Sequence, residues 1–227
     1  MISLVCAIAA CLAIHAGAAA WTATHLGVRV REVSFGVGPV LKRFGMLTIR
    51  LLPVGGFVKF KDSRTEYIAP TDMRDAFDAQ PLAVRLTIGA SGCAALLLVV
   101  TATAQFEGLR AFASGFGQFF SGGLSPLGDA QKLLEDAQAV SRTLSFATLL
   151  GFAAAKFAAF NLLPFPACNG GFMLAEPFRK TALARQWPAG LTTGFSLLQI
   201  ALSFSWMFAL AAYVTGSGAA FSRLIAQ

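Results

Sequence analysis

The sequence predicts an α-helical integral membrane protein: four transmembrane helices, with a small membrane-surface β-sheet or hairpin between the first and second. Three observations carry that prediction. Of 227 residues, 56% are hydrophobic and only 13% are charged, where a soluble domain carries about 25% charged residues. Apolar runs of about 20 residues, the length that crosses a hydrocarbon core, recur four times. The net charge of +7 comes from 18 Lys and Arg against 11 Asp and Glu. The basic residues gather in loops that flank the apolar runs, the positive-inside pattern. That placement makes a lipid bilayer, and not nucleic acid, the reason for a pI near 9.7.

The first span covers about residues 2–24. It has no basic n-region, so it reads as a retained span and not as a cleaved leader. A β region follows over about residues 28–62. There Val28-Arg29-Val30-Arg31-Glu32-Val33 alternates apolar and charged residues, Leu47-Thr48-Ile49-Arg50-Leu51-Leu52 is strand-like, and Pro53 to Phe60 reads as a turn followed by a strand. Three or four strands are expected. A short helix over Asp72 to Ala79 leads into the second span, at about 82–104. The loop of about 105–143 holds one amphipathic helix, over Leu124 to Ala139. The third span, about 144–163, is interrupted by Lys156 and ends at Pro164; the fourth covers about 191–214. Gly, Ala and Ser are abundant in the first two spans and favour close helix packing in lipid. Cys6, Cys11, Cys93 and Cys168 form no C-x-x-C pair and read as free, buried thiols. The whole chain, 1–227, reads as one membrane-embedded domain.

Loop charge sets the orientation. The first loop carries Arg29, Arg31, Lys42, Arg43, Arg50, Lys59, Lys61, Arg64 and Arg74. The second has only Arg110, Lys132 and Arg142, and the third adds Arg179, Lys180 and Arg185. The first and third loops are therefore expected in the cytoplasm, with both termini on the outer side.

Several segments in this order resemble a known family. His15-Ala16-Gly17-Ala18-Ala19 sits at the inner end of the first span, and Gly27-Val28-Arg29-Val30 and Phe35-Gly36-Val37-Gly38-Pro39 follow. Pro53-Val54-Gly55-Gly56-Phe57-Val58-Lys59 closes the hairpin, and Ala76-Phe77 leads through Pro81 to Arg85. Last comes Asn161-Leu162-Leu163-Pro164-Phe165-Pro166-Ala167-Cys168-Asn169-Gly170-Gly171-Phe172. Together these resemble the site-2 protease family of bacterial intramembrane zinc metalloproteases over nearly the whole chain. The resemblance implies a bacterial cytoplasmic (inner) membrane. The stretch between the second and third spans has no room for the PDZ domains that many such proteins insert there.

The resemblance also implies a chemistry that the residues do not supply. The family's H-E-x-x-H and distant Asp fall on His15, Ala16, Ala19 and Asn169. A catalytic zinc needs three protein ligands and an open position for water, with the Glu as general base. An alanine methyl neither binds a metal nor accepts a proton, and Asn169 has lost the carboxylate charge. The other histidine, His25, lies about 15 Å from His15 along an ideal helix. Phe172, Gly92-Cys93 and Lys156 also depart from the family's pattern. A charge such as Lys156 within a span is costly and paired or functional. It either reaches an interface, carbonyl or carboxylate, or stands near Asn169 in place of part of the metal's charge.

The expectation is therefore a degenerate member with no catalytic residue, no metal and no cofactor: not an enzyme but a pseudoprotease. It would act as a scaffold, adaptor or subunit of a hetero-oligomeric membrane complex and bind a partner's transmembrane or extended segment. The partner-binding or site-filling candidates are Gly55, Gly56, Phe57, Val58, Lys156, Asn161, Pro164 and Pro166. The alternative is an active intramembrane zinc metalloprotease with an atypical site.

Overall fold

The computed structural model describes residues 2–179, 181 and 189–216. Lys180 and Arg185, which the charge argument places in the third loop, lie outside the described residues. Helix α1 runs Ile2–His25 without a charged residue before its last turn. Its buried residues, Ala7, Cys11, Ala16, Ala19 and Ala23, are all small. They let it pack closely on α2 (Leu82–Thr103) and α5 (Phe146–Asn161). Cys11, Leu96, Val100, Ala154, Ala155 and Ala158 form the centre of that three-helix contact. Small side chains bring backbones together where the surrounding solvent offers no hydrophobic drive.

Strands β1 (Val30–Phe44) and β2 (Leu47–Phe60) form the sheet. Each is long enough to bend back on itself. Gly36 and Gly55 take φ values of +87° and +74° at the two bends, a conformation glycine adopts without steric cost. Two strands therefore supply four laterally paired segments. Segment 40–44 lies against 47–50, Val33 to Phe35 oppose Leu47 to Ile49, and 30–35 also pairs with 56–60. Among the described residues, 56–60 has sheet partners on one side only. The apolar face, with Val28, Val30, Val33, Val58 and Phe60, closes on Ala23, Phe77 and Ile88 at the end of the bundle.

Between the sheet and α2 the predicted short helix is replaced by two 3-10 turns, Pro70–Asp72 and Phe77–Ala79. Charge organises this stretch. Lys61 is buried, with its ammonium on Asp75 and 2.9 Å from Asp72. Arg85 and Glu176, both buried, meet at 2.6 Å, and Arg179 joins them at 3.1 Å. Arg179 also donates to the Asp78 carbonyl at 3.3 Å. The first loop, the start of α2 and the segment after α6 (Asn169–Ala175) therefore meet at one end of the bundle.

The amphipathic helix expected over Leu124 to Ala139 appears as α4 (Asp129–Thr143), and the stretch before it, expected as loop, is a further helix, α3 (Gln105–Leu124). The chain reverses at Gln105, whose φ is +47°. Helix α3 then returns beside α5, presenting Gly108, Gly115 and Gly122 from one face. A methyl at Gly115 would stand 2.8 Å from the Ala159 methyl, and one at Gly122 would stand 2.2 Å from the Trp206 ring. These glycines are contact surfaces and not loop residues, which is why composition misassigned them.

Helix α7 (Ala189–Thr215) packs on α3 and α4. Among the described residues three helices, α1, α2 and α7, are long and apolar enough to cross a membrane. The third expected span falls on the shorter apolar helix α5.

Candidate functional site

The segment beginning at His15 lies where α1, α2, α5 and α6 converge. His15 faces α2 across a gap that only glycine permits: a methyl at Gly92 would stand 2.6 Å from the imidazole Cδ2. The Cys93 Sγ is 3.9 Å from His15 Nε2. Phe157 of α5 meets the imidazole edge-on, with ring centroids 5.8 Å apart. The Asn169 carboxamide lies beside the ring. Asn169 in turn donates its Nδ2 to the Gly89 carbonyl at 2.6 Å. Ala16 and Ala19 are buried methyls on the same helix. The structure thus unites His15 and Asn169 across 154 residues of sequence, as the motif alignment requires.

The broken segment after α5 builds the platform for Asn169. The Asn161 side chain turns back and donates to the Phe157 carbonyl at 2.8 Å. Pro164 and Pro166 prevent the helix from continuing. Leu163 and Phe165 are buried against α3 and α7, among Phe116, Phe119, Phe120 and Leu202. Helix α6 then starts hard against the carbonyls this break leaves free. A methyl at Gly170 would stand 2.1 Å from the Leu162 oxygen, and one at Gly171 would stand 2.0 Å from the Phe165 oxygen. The Asn-Gly-Gly sequence is therefore a packing requirement, independent of any metal.

Lys156 does not join this group as a replacement charge. Its ammonium donates to the Ala111 carbonyl at 2.7 Å and to Ser114 Oγ at 2.9 Å, both on α3. Of the two alternatives for Lys156, the carbonyl partner is the one found: the glycine face of α3 leaves room for the lysine stem, and α3 supplies the carbonyl. Gly55, Gly56, Phe57 and Val58 lie away from His15, at the bend and in the edge segment of the sheet. Phe57 is exposed there, beneath the Arg50 guanidinium at 5.3 Å.

Sequence reasoning missed Cys93, Gly89 and Phe157 as neighbours of His15, and Glu176 as the partner of Arg85. The Arg85 position was visible as the end of a motif. Its acid lies 91 residues later, with no periodic signal joining the two.

The donors present do not fit a catalytic zinc. Such an ion takes three nitrogen, sulfur or carboxylate ligands and keeps one open position. Here one imidazole meets one carboxamide and one thiol, and the next motif positions are methyls. Among the described residues no group of three His, Cys, Asp or Glu side chains converges.

Comparison with known proteins gives the family context. The model of peptidase family M50 matches residues 3–202. The chain is 35% identical over 95 residues to the regulator of sigma-E protease RseP of Salmonella typhimurium (strain 14028s / SGSC 2262), covering 40% of this chain and 21% of that protein. It is 34% identical over 95 residues to RseP of Escherichia coli (strain K12), with the same coverage of 40% and 21%. It is 34% identical over 77 residues to the protease RseP of Yersinia pestis, covering 32% of this chain and 17% of that protein. The matched stretch spans about a fifth of the length of these relatives. These matches overturn the expectation that the chain is not an enzyme: the family is a peptidase family, and the relatives are named proteases.

Proposed function

This chain belongs to peptidase family M50, and from that premise we propose that it captures an extended or transmembrane segment of a membrane-protein partner. The observation that carries this reading is the edge segment 56–60, which is paired on one side only and presents exposed Phe57. An unpaired edge offers alternating N–H and C=O groups, and an extended peptide adds to it as a further strand. The close-packed, small-residue contacts of α1 with α2 and α5 support a bundle that admits a further helix.

The same reading sets the sheet on the cytoplasmic face of a bacterial inner membrane, with both termini outside. Contact between the first loop and the segment after α6 supports that arrangement, since both then lie on one side. Helix α5, about 24 Å long over its 16 residues, serves as a short fourth crossing completed by the broken segment.

A photo-crosslinking residue tests the capture. Placed at Phe57 in native membranes, it is expected to give a discrete adduct with a membrane protein. The same residue at Phe204, on the exposed side of α7, is expected to give none. Equal labelling from both positions would sink the reading. A second reading, peptide hydrolysis at an atypical centre, is favoured by the family match and by the gathering of His15, Cys93 and Asn169. Cleavage of the captured segment that is lost in His15→Ala would select it.

A further inference from the structure

Half-buried Lys156 carries a charge that no described residue of the bundle answers. It stands ten residues after Phe146, about 15 Å along α5. The rest of that helix is uncharged, and so is α3 from Ala111 to Leu124. An ammonium has three hydrogens to donate. Two reach neutral acceptors, the Ala111 carbonyl and Ser114 Oγ, and among the described residues no carboxylate pairs with it. Those acceptors satisfy hydrogens and leave the charge uncompensated. A charge inside a membrane is costly and pairs with an opposite charge where it can. The surface beside it is shaped for a protein neighbour. Ala113, Ser114, Gly117 and Ser121 share one face of α3 by their spacing, and all four are exposed. A methyl at Gly117 would meet nothing within 4 Å. The exposed large apolar side chains of α3 are Phe106, Leu109 and Leu124, all near its ends. Helix α7 differs, exposing Leu197, Ile200, Phe204 and Phe208 along its length. Bulky side chains suit lipid, whereas small ones let a second helix backbone come close.

We propose that this face of α3 binds a transmembrane helix of another protein, and that a carboxylate within that helix pairs with the Lys156 ammonium. Charge complementarity selects the acid. The small face of α3 lets the partner's backbone approach until the acid reaches the ammonium beside Ser114. A second copy of this chain does not supply that acid from a span, because α1, α2, α5 and α7 contain no Asp or Glu. A lipid headgroup is also a poor match, because its phosphate lies at the interface and Lys156 stands well inside α5. The proposal rests on the reading that the chain engages a membrane-protein partner, and it specifies the chemistry of that partner's span.

The test places the full chain, with a fluorescent donor at its N-terminus, in phosphatidylcholine vesicles at about pH 8. The probe is a synthetic Leu-Ala helix of about 20 residues that carries an acceptor dye and a single central Asp. Counterpart peptides carry Asn or Leu at the same place. Energy transfer is read against the ratio of peptide to lipid. Half-maximal transfer is expected at a peptide density at least tenfold lower for the Asp peptide than for either counterpart. Lys156→Met is expected to abolish that preference. Lys156→Arg, which keeps the charge, is expected to retain it. Gly117→Leu fills the open face and leaves the packed glycine face of α3 untouched, so it is expected to weaken the Asp peptide at least fivefold. Equal association of the Asp and Asn peptides, a preference that survives Lys156→Met, an Asp peptide unaffected by Gly117→Leu, or no association of any peptide overturns the proposal. The adduct at Phe57 judges the capture reading separately, so either can fail without the other.

Discussion

Asn169 donates to the Gly89 carbonyl, and that direction of donation separates it from an aspartate. A carboxylate at this position has no hydrogen to give and would set an acceptor against an acceptor. Asn169→Asp is therefore expected to destabilise the chain by about 1–3 kcal/mol. The effect would read as a fall of several degrees in the detergent thermal midpoint, and an unchanged midpoint would contradict the bond's role. Donor chemistry predicts a second result at the same place. Combining Ala16→Glu, Ala19→His and Asn169→Asp with the existing His15 supplies two imidazoles, a carboxylate ligand and a base. That triple variant is expected to retain more zinc than the parent after purification, measured by elemental analysis. Equal zinc in both would show that the helices no longer hold the spacing a metal needs.

At the scale of elements, loop 61–81 is held by charge more than by apolar contact. Hydrogen bonding from the Lys61 ammonium holds the Asp75 carboxyl below its ordinary range, and Asp75 in turn raises Lys61. The depressed acid contributes stability above its unfolded pKa of about 3.9 and loses it as pH falls through the folded value. The raised lysine contributes below its unfolded value of about 10.4 and loses it as pH rises through the folded one. The thermal midpoint is thus expected to be level from about pH 5 to 9, falling at either limb. Asp75→Asn should flatten the acid limb, and an acid limb of undiminished steepness in that variant would assign it to other carboxylates. Span edges in this part of the chain were legible from hydropathy: the second span, read as 82–104, is Leu82–Thr103. Helix α3 was not legible, because glycine signals a loop by propensity and a close contact only once Ala159 and Trp206 stand opposite.

For the whole molecule, the buried pair of Arg85 and Glu176, with half-buried Arg179 beside it, joins segments far apart in the chain. Breaking a buried ion pair by removing one member costs about 3–5 kcal/mol, whereas replacing both by apolar groups is often neutral. Glu176→Gln is expected to lower the midpoint by roughly 6–20 °C. Arg85→Met combined with Glu176→Met should recover most of that loss, with Arg179 still exposed enough to reach water. An additive double variant would mean that the two side chains do not act as a pair. Because this group fixes α6 from its far end, Glu176→Gln should also loosen the Asn169 contact, visible as faster alkylation of Cys93 by a membrane-permeant thiol reagent.

Read residue by residue, the chain already discloses its apolar, mostly helical class, three long apolar helices and the place of the sheet. These are properties of residue type and local order, which hydropathy, charge and spacing report directly. Only the tertiary structure decided that Lys156 belongs to α3, that Asn169 donates to Gly89, that 56–60 is an edge and that 105–124 is a packed helix. Each of those depends on which backbone lies opposite. In a chain made largely of Ala, Gly, Leu and Phe, many pairings satisfy the same composition, and contact geometry selects one.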